Sequence, residues 1–105
     1  MIYEERKIRL RRRTFGEYRT YVLDNLWGRL TASGHQPVCL MNGLIGAGVE
    51  DVLLIVGFED FDAWQQAQAE LAGSHPERPP RDWIDHEDVR LLLASPHRPD
   101  GITRV

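Results

Sequence analysis

The chain has 105 residues, one domain's worth, with 42% hydrophobic and 28% charged residues, so a globular core is expected and a low-complexity or collagen-like chain is excluded. A net charge of −3 gives no global field for nucleic acid or an anionic membrane, and no run is long and apolar enough to cross a bilayer. The single cysteine, Cys39, excludes an internal disulfide or a paired-cysteine metal site; with no apolar leader after Met1, this predicts a cytoplasmic protein.

Residues 2–10, IYEERKIRL, predict a first strand. Ile2, Glu4, Arg6, Ile8 and Leu10 share one side of it; Tyr3, Glu5, Lys7 and Arg9 share the other. Arg11-Arg12-Arg13 makes a connection, either a solvated turn or, beside a helix start, an anion site. Thr14 and Glu17 have capping-box spacing and predict a helix start. Phe15, Tyr18, Val22, Leu26 and Leu30 then recur at helical spacing, widened by Leu23 and Trp27, and Ser33-Gly34 ends the helix.

Residues 38–45, VCLMNGLI, predict a second strand and 51–58, DVLLIVGF, a third, joined as a hairpin through Gly46-Ala47-Gly48. The third strand is apolar at both parities, so both its faces are expected to be covered. Asp60 or Asp62 can cap a second helix to about Ala72, striped by Phe61, Trp64, Ala67 and Leu71. The segment 75–81, HPERPPR, is a proline-broken loop, 82–88 has room for a helical turn, and 89–94 predicts a fourth strand ended by Pro96 and Pro99.

The order β-α-β-β-α-β defines an α+β, ferredoxin-like domain: a four-stranded antiparallel sheet with both helices on one face. One domain spans 1–105, with its core at about 2–96 and a tail at 97–105. Nothing in the sequence covers the other sheet face, so two copies packed sheet to sheet are expected, a homodimer.

The opening strand also resembles the NIPSNAP family. Ile2, Tyr3, Glu4, Arg6 and Leu10 match a first-strand pattern I-Y-E-x-R-x-x-x-L, followed by a short turn and a long amphipathic helix. The hairpin, the Phe58-Glu59-Asp60-Phe61 passage and the closing strand follow in the family's order. Glu5, Arg12-Arg13 and the HPERPPR segment depart from its usual pattern. The resemblance implies the fold and a dimeric α/β barrel, and no single chemistry, because one fold hosts many reactions.

For chemistry, Glu4 and Arg6 share one strand face: either a proton acceptor with an orienting cation in an apolar pocket, or a structural ion pair. His97, beyond the fourth strand, is the third candidate catalytic residue. Tyr3, Asn42, Trp64 and Arg90 are candidate substrate contacts; Asn42 and Arg90 either line a cavity or point outward at an edge. His86-Glu87-Asp88 reads as a solvated turn, since sequence neighbours do not converge on one ion, and no metal or cofactor is expected. The GLIGAG run at 43–48 leads into a strand and is no nucleotide loop, and Cys39 is a buried structural thiol. These residues imply a cofactor-independent enzyme acting on an apolar or aromatic metabolite by proton transfer, isomerisation, cyclisation or oxygenation. The alternative is a non-catalytic small-molecule-binding or protein-interaction module.

Overall fold

A computed structural model describes residues 1–72 and 81–93. Strand β1 (Ile2–Leu10) leads to a helical segment in three parts: α1 (Phe15–Tyr21), a π-helical turn (Val22–Leu26) and α2 (Trp27–Ala32). Strands β2 (Gln36–Asn42) and β3 (Asp51–Phe58) form the hairpin, followed by α3 (Phe61–Ala72), a 3₁₀ turn (Arg81–Trp83) and β4 (Ile84–Leu93). The sheet is antiparallel in the order β2-β3-β1-β4, the ferredoxin-like arrangement. β1 and β3 are central.

The alternation in β1 sets the layers. Ile8 and Leu10 are buried with Val52, Leu54, Val56 and Phe58 of β3 against Tyr18, Val22 and Leu30, with Ala67 of α3 beside them. All the described helices therefore lie on this one face. Val22, at the start of the π turn, is fully buried, so the widened helix turn still delivers its apolar stripe to the sheet. Leu23 points away and is exposed.

Several local expectations are met and others corrected. Gly34, at a φ of 86°, ends the helix in a Schellman motif: His35 N–H donates to the Leu30 carbonyl and Gly34 N–H to that of Thr31. Asp60 caps α3, its carboxylate accepting the Ala63 N–H at 2.8 Å. Thr14 forms no capping box. Its hydroxyl instead donates to the Arg11 carbonyl at 2.7 Å, closing the turn in which Arg13 takes a left-handed φ of 69°. Strand β2 starts two residues early and stops at Asn42; Gly43 N–H still donates to the Asp51 carbonyl before the chain enters the loop. A Cβ on Gly43 would strike the Gly48 carbonyl, so glycine is required there. Leu44 and Ile45 leave the sheet and stand exposed.

Strand β4 begins at Ile84, and the expected helical turn over 82–88 reduces to Arg81–Trp83. The charged run Asp85–Asp88 is a strand because β1 pairs with it, and its solvent-facing charges suit a sheet edge. The proline loop up to residue 80, the end of the fourth strand beyond Leu93 and the tail 97–105 lie outside the described residues. No helix among the described residues is long and apolar enough to cross a membrane.

Candidate functional site

On the helix-covered face, β1 places Glu4 and Arg6 beneath α3, whose Trp64 and Gln68 are one helical turn apart. Glu4 is the buried charged residue of this layer, 5% exposed. Its Oε1 accepts from Arg6 Nε at 3.1 Å and lies 3.0 Å from Nη2 of the same guanidinium. Its Oε2 accepts from Trp64 Nε1 at 2.7 Å and Gln68 Nε2 at 3.1 Å. Arg6 Nη1 reaches across to Glu87 Oε1 of β4 at 2.6 Å. Burial alone would lower the Arg6 pKa, but Glu4 and Glu87 outweigh it and hold the guanidinium above its ordinary range. Burial also pushes the Tyr18 phenol well up, against the pull of Arg6.

Chemically this is a closed circuit. Three hydrogen bonds occupy the Glu4 carboxylate, so accepting a proton would mean breaking charge-assisted contacts in a desolvated layer. The arrangement ties β1 to α3 and to β4.

The opposite face holds a different set. Tyr3, Glu5, Lys7 and Arg9 alternate along β1; in register with them are Leu92, Arg90, Asp88 and His86 of β4, and Gly57, Ile55, Leu53 and Asp51 of β3. Arg90 donates through Nη2 to Glu5 Oε1 at 2.7 Å and Arg9 pairs with Asp51 at 2.6 Å. Arg90 therefore lies across the sheet from Glu4 and Arg6, and no single cavity gathers the three, because the β1–β4 register matches Arg90 to Glu5. Tyr3 shares the Arg90 side, Trp64 the Glu4 side, and Asn42 is exposed at the end of β2. His97 lies outside the described residues.

His86-Glu87-Asp88 is strand rather than turn, and alternation splits it. Glu87 faces Arg6, while His86 and Asp88 share the other side at 3.0 Å. Of the other members of the circuit, the sequence reading leaves Gln68 unassigned and puts Glu87 in a solvated turn. Gln68, four residues after Trp64, was open to a helical-spacing argument. Glu87 needed the strand register. Among the described residues, no group of three or more His, Cys, Asp or Glu is placed to hold a metal ion.

On the bare face a concavity of about 640 Å³ opens beside the hairpin loop. Lys7, Arg9, Met41, Leu53, His86 and Asp88 contribute to its lining.

The sheet order, with every described helix on one face and no described element on the second, defines a ferredoxin-like α+β domain. Within that class the chain has the NIPSNAP fold. It superimposes on the crystal structure of a NIPSNAP family protein from Agrobacterium tumefaciens with a TM-score of 0.74 at 23% identity, covering 93% of this chain and 96% of that one. A NIPSNAP-like domain protein from Burkholderia xenovorans matches with a TM-score of 0.75 at 19% identity, over 93% and 88%. An uncharacterized NIPSNAP domain protein from the same organism gives 0.70 at 19% identity, over 95% and 100%. No family model and no curated protein matches the sequence.

Proposed function

We propose that the protein works as a homodimer, two uncovered sheet faces closing into an α/β barrel whose interior holds a small, largely apolar metabolite. The observation that carries this reading is the composition of that face. Tyr3, Leu53, Ile55, Cys39, Met41 and Leu92 share it by register, and Met41 is 51% and Leu92 40% exposed. These apolar residues run along β2 and β3 and end at Tyr3 and Leu92, beside the charged Glu5, Lys7, Arg9 and Arg90; an exposed apolar patch of this kind is normally hidden against a partner. Binding is favoured over catalysis at Glu4 because that carboxylate is already engaged by Arg6, Trp64 and Gln68. The lone Cys39 fits a reducing, cytoplasmic setting.

Sedimentation equilibrium in dilute solution tests the assembly. The expected mass is about twice the 12.1 kDa of one chain. Ile55→Arg, which places a charge in the middle of the face, should give a folded single chain with unchanged helical circular dichroism. A wild-type protein that sediments as one chain with its sheet intact would overturn the reading.

A further inference from the structure

The loop between β2 and β3 is fixed in shape, yet it shows its largest apolar side chains to water. Asp51, the first residue of β3, holds it closed. The Asp51 carboxylate accepts the Gly48 N–H at 2.9 Å, and its N–H donates to the Gly48 carbonyl at 3.0 Å. Arg9 braces the other carboxylate oxygen at 2.6 Å. Gly43 lies too close to the Gly48 carbonyl to carry a side chain, and Gly46 turns the tip at a φ of 82°. At that tip Leu44 is 90% and Ile45 91% exposed, the barest large apolar side chains among the described residues.

Single exposed aliphatics are ordinary on a protein surface. Two adjacent ones, held out by an ordered backbone, form a patch of the kind that marks a contact. The position of the loop identifies the partner. Gly43 and Ala47 line the concavity on the uncovered sheet face together with Met41, an exposed residue of that face. The loop is therefore a rim of the face, and a chain laid over the face meets the rim. We infer that Leu44 and Ile45 pack against the second copy of this chain, so that the hairpin tip of each copy helps to wall the space between the two sheets. This contact rests on the homodimer reading above and extends it from the strands to the loop.

The tip stands clear of the core, so replacing it leaves the packing of the single chain intact. Sedimentation equilibrium and circular dichroism compare the wild type with the double variant Leu44→Ser, Ile45→Ser. Burying one such side chain favours association by about tenfold or more, and a two-fold assembly contains two tips. The double variant should therefore raise the dimer dissociation constant at least about 100-fold, with helical circular dichroism unchanged. A benzophenone side chain placed at position 45 should join two chains on irradiation. A double variant that dimerises within about threefold of the wild type, or a benzophenone that reacts only within its own chain, would overturn the inference and leave the dimer standing. A wild type that sediments as one chain would overturn both. So would binding of that single chain to phosphatidylcholine vesicles, abolished in the double variant, which would give the tip a lipid occupant.

Discussion

The two sides of β1 carry similar residues under opposite conditions. On the helix-covered side Glu4 and Arg6 are desolvated, each bonded to more than one partner, and locked beneath α3. On the bare side Glu5 meets Arg90, and Arg9 meets Asp51, with both arginines more than half exposed. An exposed ion pair in water contributes little, whereas removing one member of a buried pair leaves the other unpaired. The same acid–base alternation thus acts as a strut on one side and as an adaptable surface on the other. That contrast locates rigidity beneath the helices.

The largest expected effect tests the strut. Glu4→Ala strands Arg6, the Trp64 indole N–H and the Gln68 amide together, and should cost about 3–5 kcal/mol in chemical denaturation. A loss below about 1 kcal/mol would mean that the covered side is as well solvated as the bare one. Next comes the packing of that side: Val22→Ala, at a fully buried position, should cost about 1–3 kcal/mol by the same measurement.

A smaller effect appears only in alkali. The Tyr18 pKa is raised by burial, so above about pH 10 the unfolded chain releases a proton that the folded chain retains. Stability is therefore flat near neutrality and falls as pH rises past the unfolded value. Thermal midpoints taken from pH 8 to pH 11.5 should decline at the top of the range, and Tyr18→Phe should flatten that decline. The smallest effect belongs to the bare side: Arg90→Ala should cost less than about 1 kcal/mol, again by denaturation. A larger loss there would show that the Glu5–Arg90 pair is already shielded, and would sharpen the case for a second sheet above it.

Much of this contrast was legible in the sequence. The alternation of IYEERKIRL assigned Glu4 and Arg6 to one side of β1, and the both-parity apolarity of 51–58 marked both sides of β3 as apolar. Pairings across distant elements were not legible. Whether Arg90 joins Glu4 or opposes it depends on the β1–β4 register, and alternation within one strand fixes only relative sides. Glu87 reads as part of a solvated turn for the same reason: in sequence it stands between two polar neighbours, and only pairing sends it to Arg6. The Thr14–Glu17 spacing misled because a nearer acceptor, the Arg11 carbonyl, captures the hydroxyl. The π turn at Val22–Leu26 interrupts no apolar spacing, so the sequence carries no mark of it.

The place of β1 in the sheet also orders events in time. It is made first, yet its two neighbours are the third and fourth strands, and the Arg6–Glu87 bond joins residues 81 positions apart. The β2–β3 hairpin can close locally, and the helical segment after β1 can then lay that strand beside β3. The last edge must wait for the end of the chain. Loop-closure entropy makes such long-range pairing slow, and during synthesis one ladder of β1 has no partner strand until β4 is made. In that interval Arg6 has Glu4 but lacks Glu87, and arrival of β4 supplies the missing carboxylate and the final row of hydrogen bonds together.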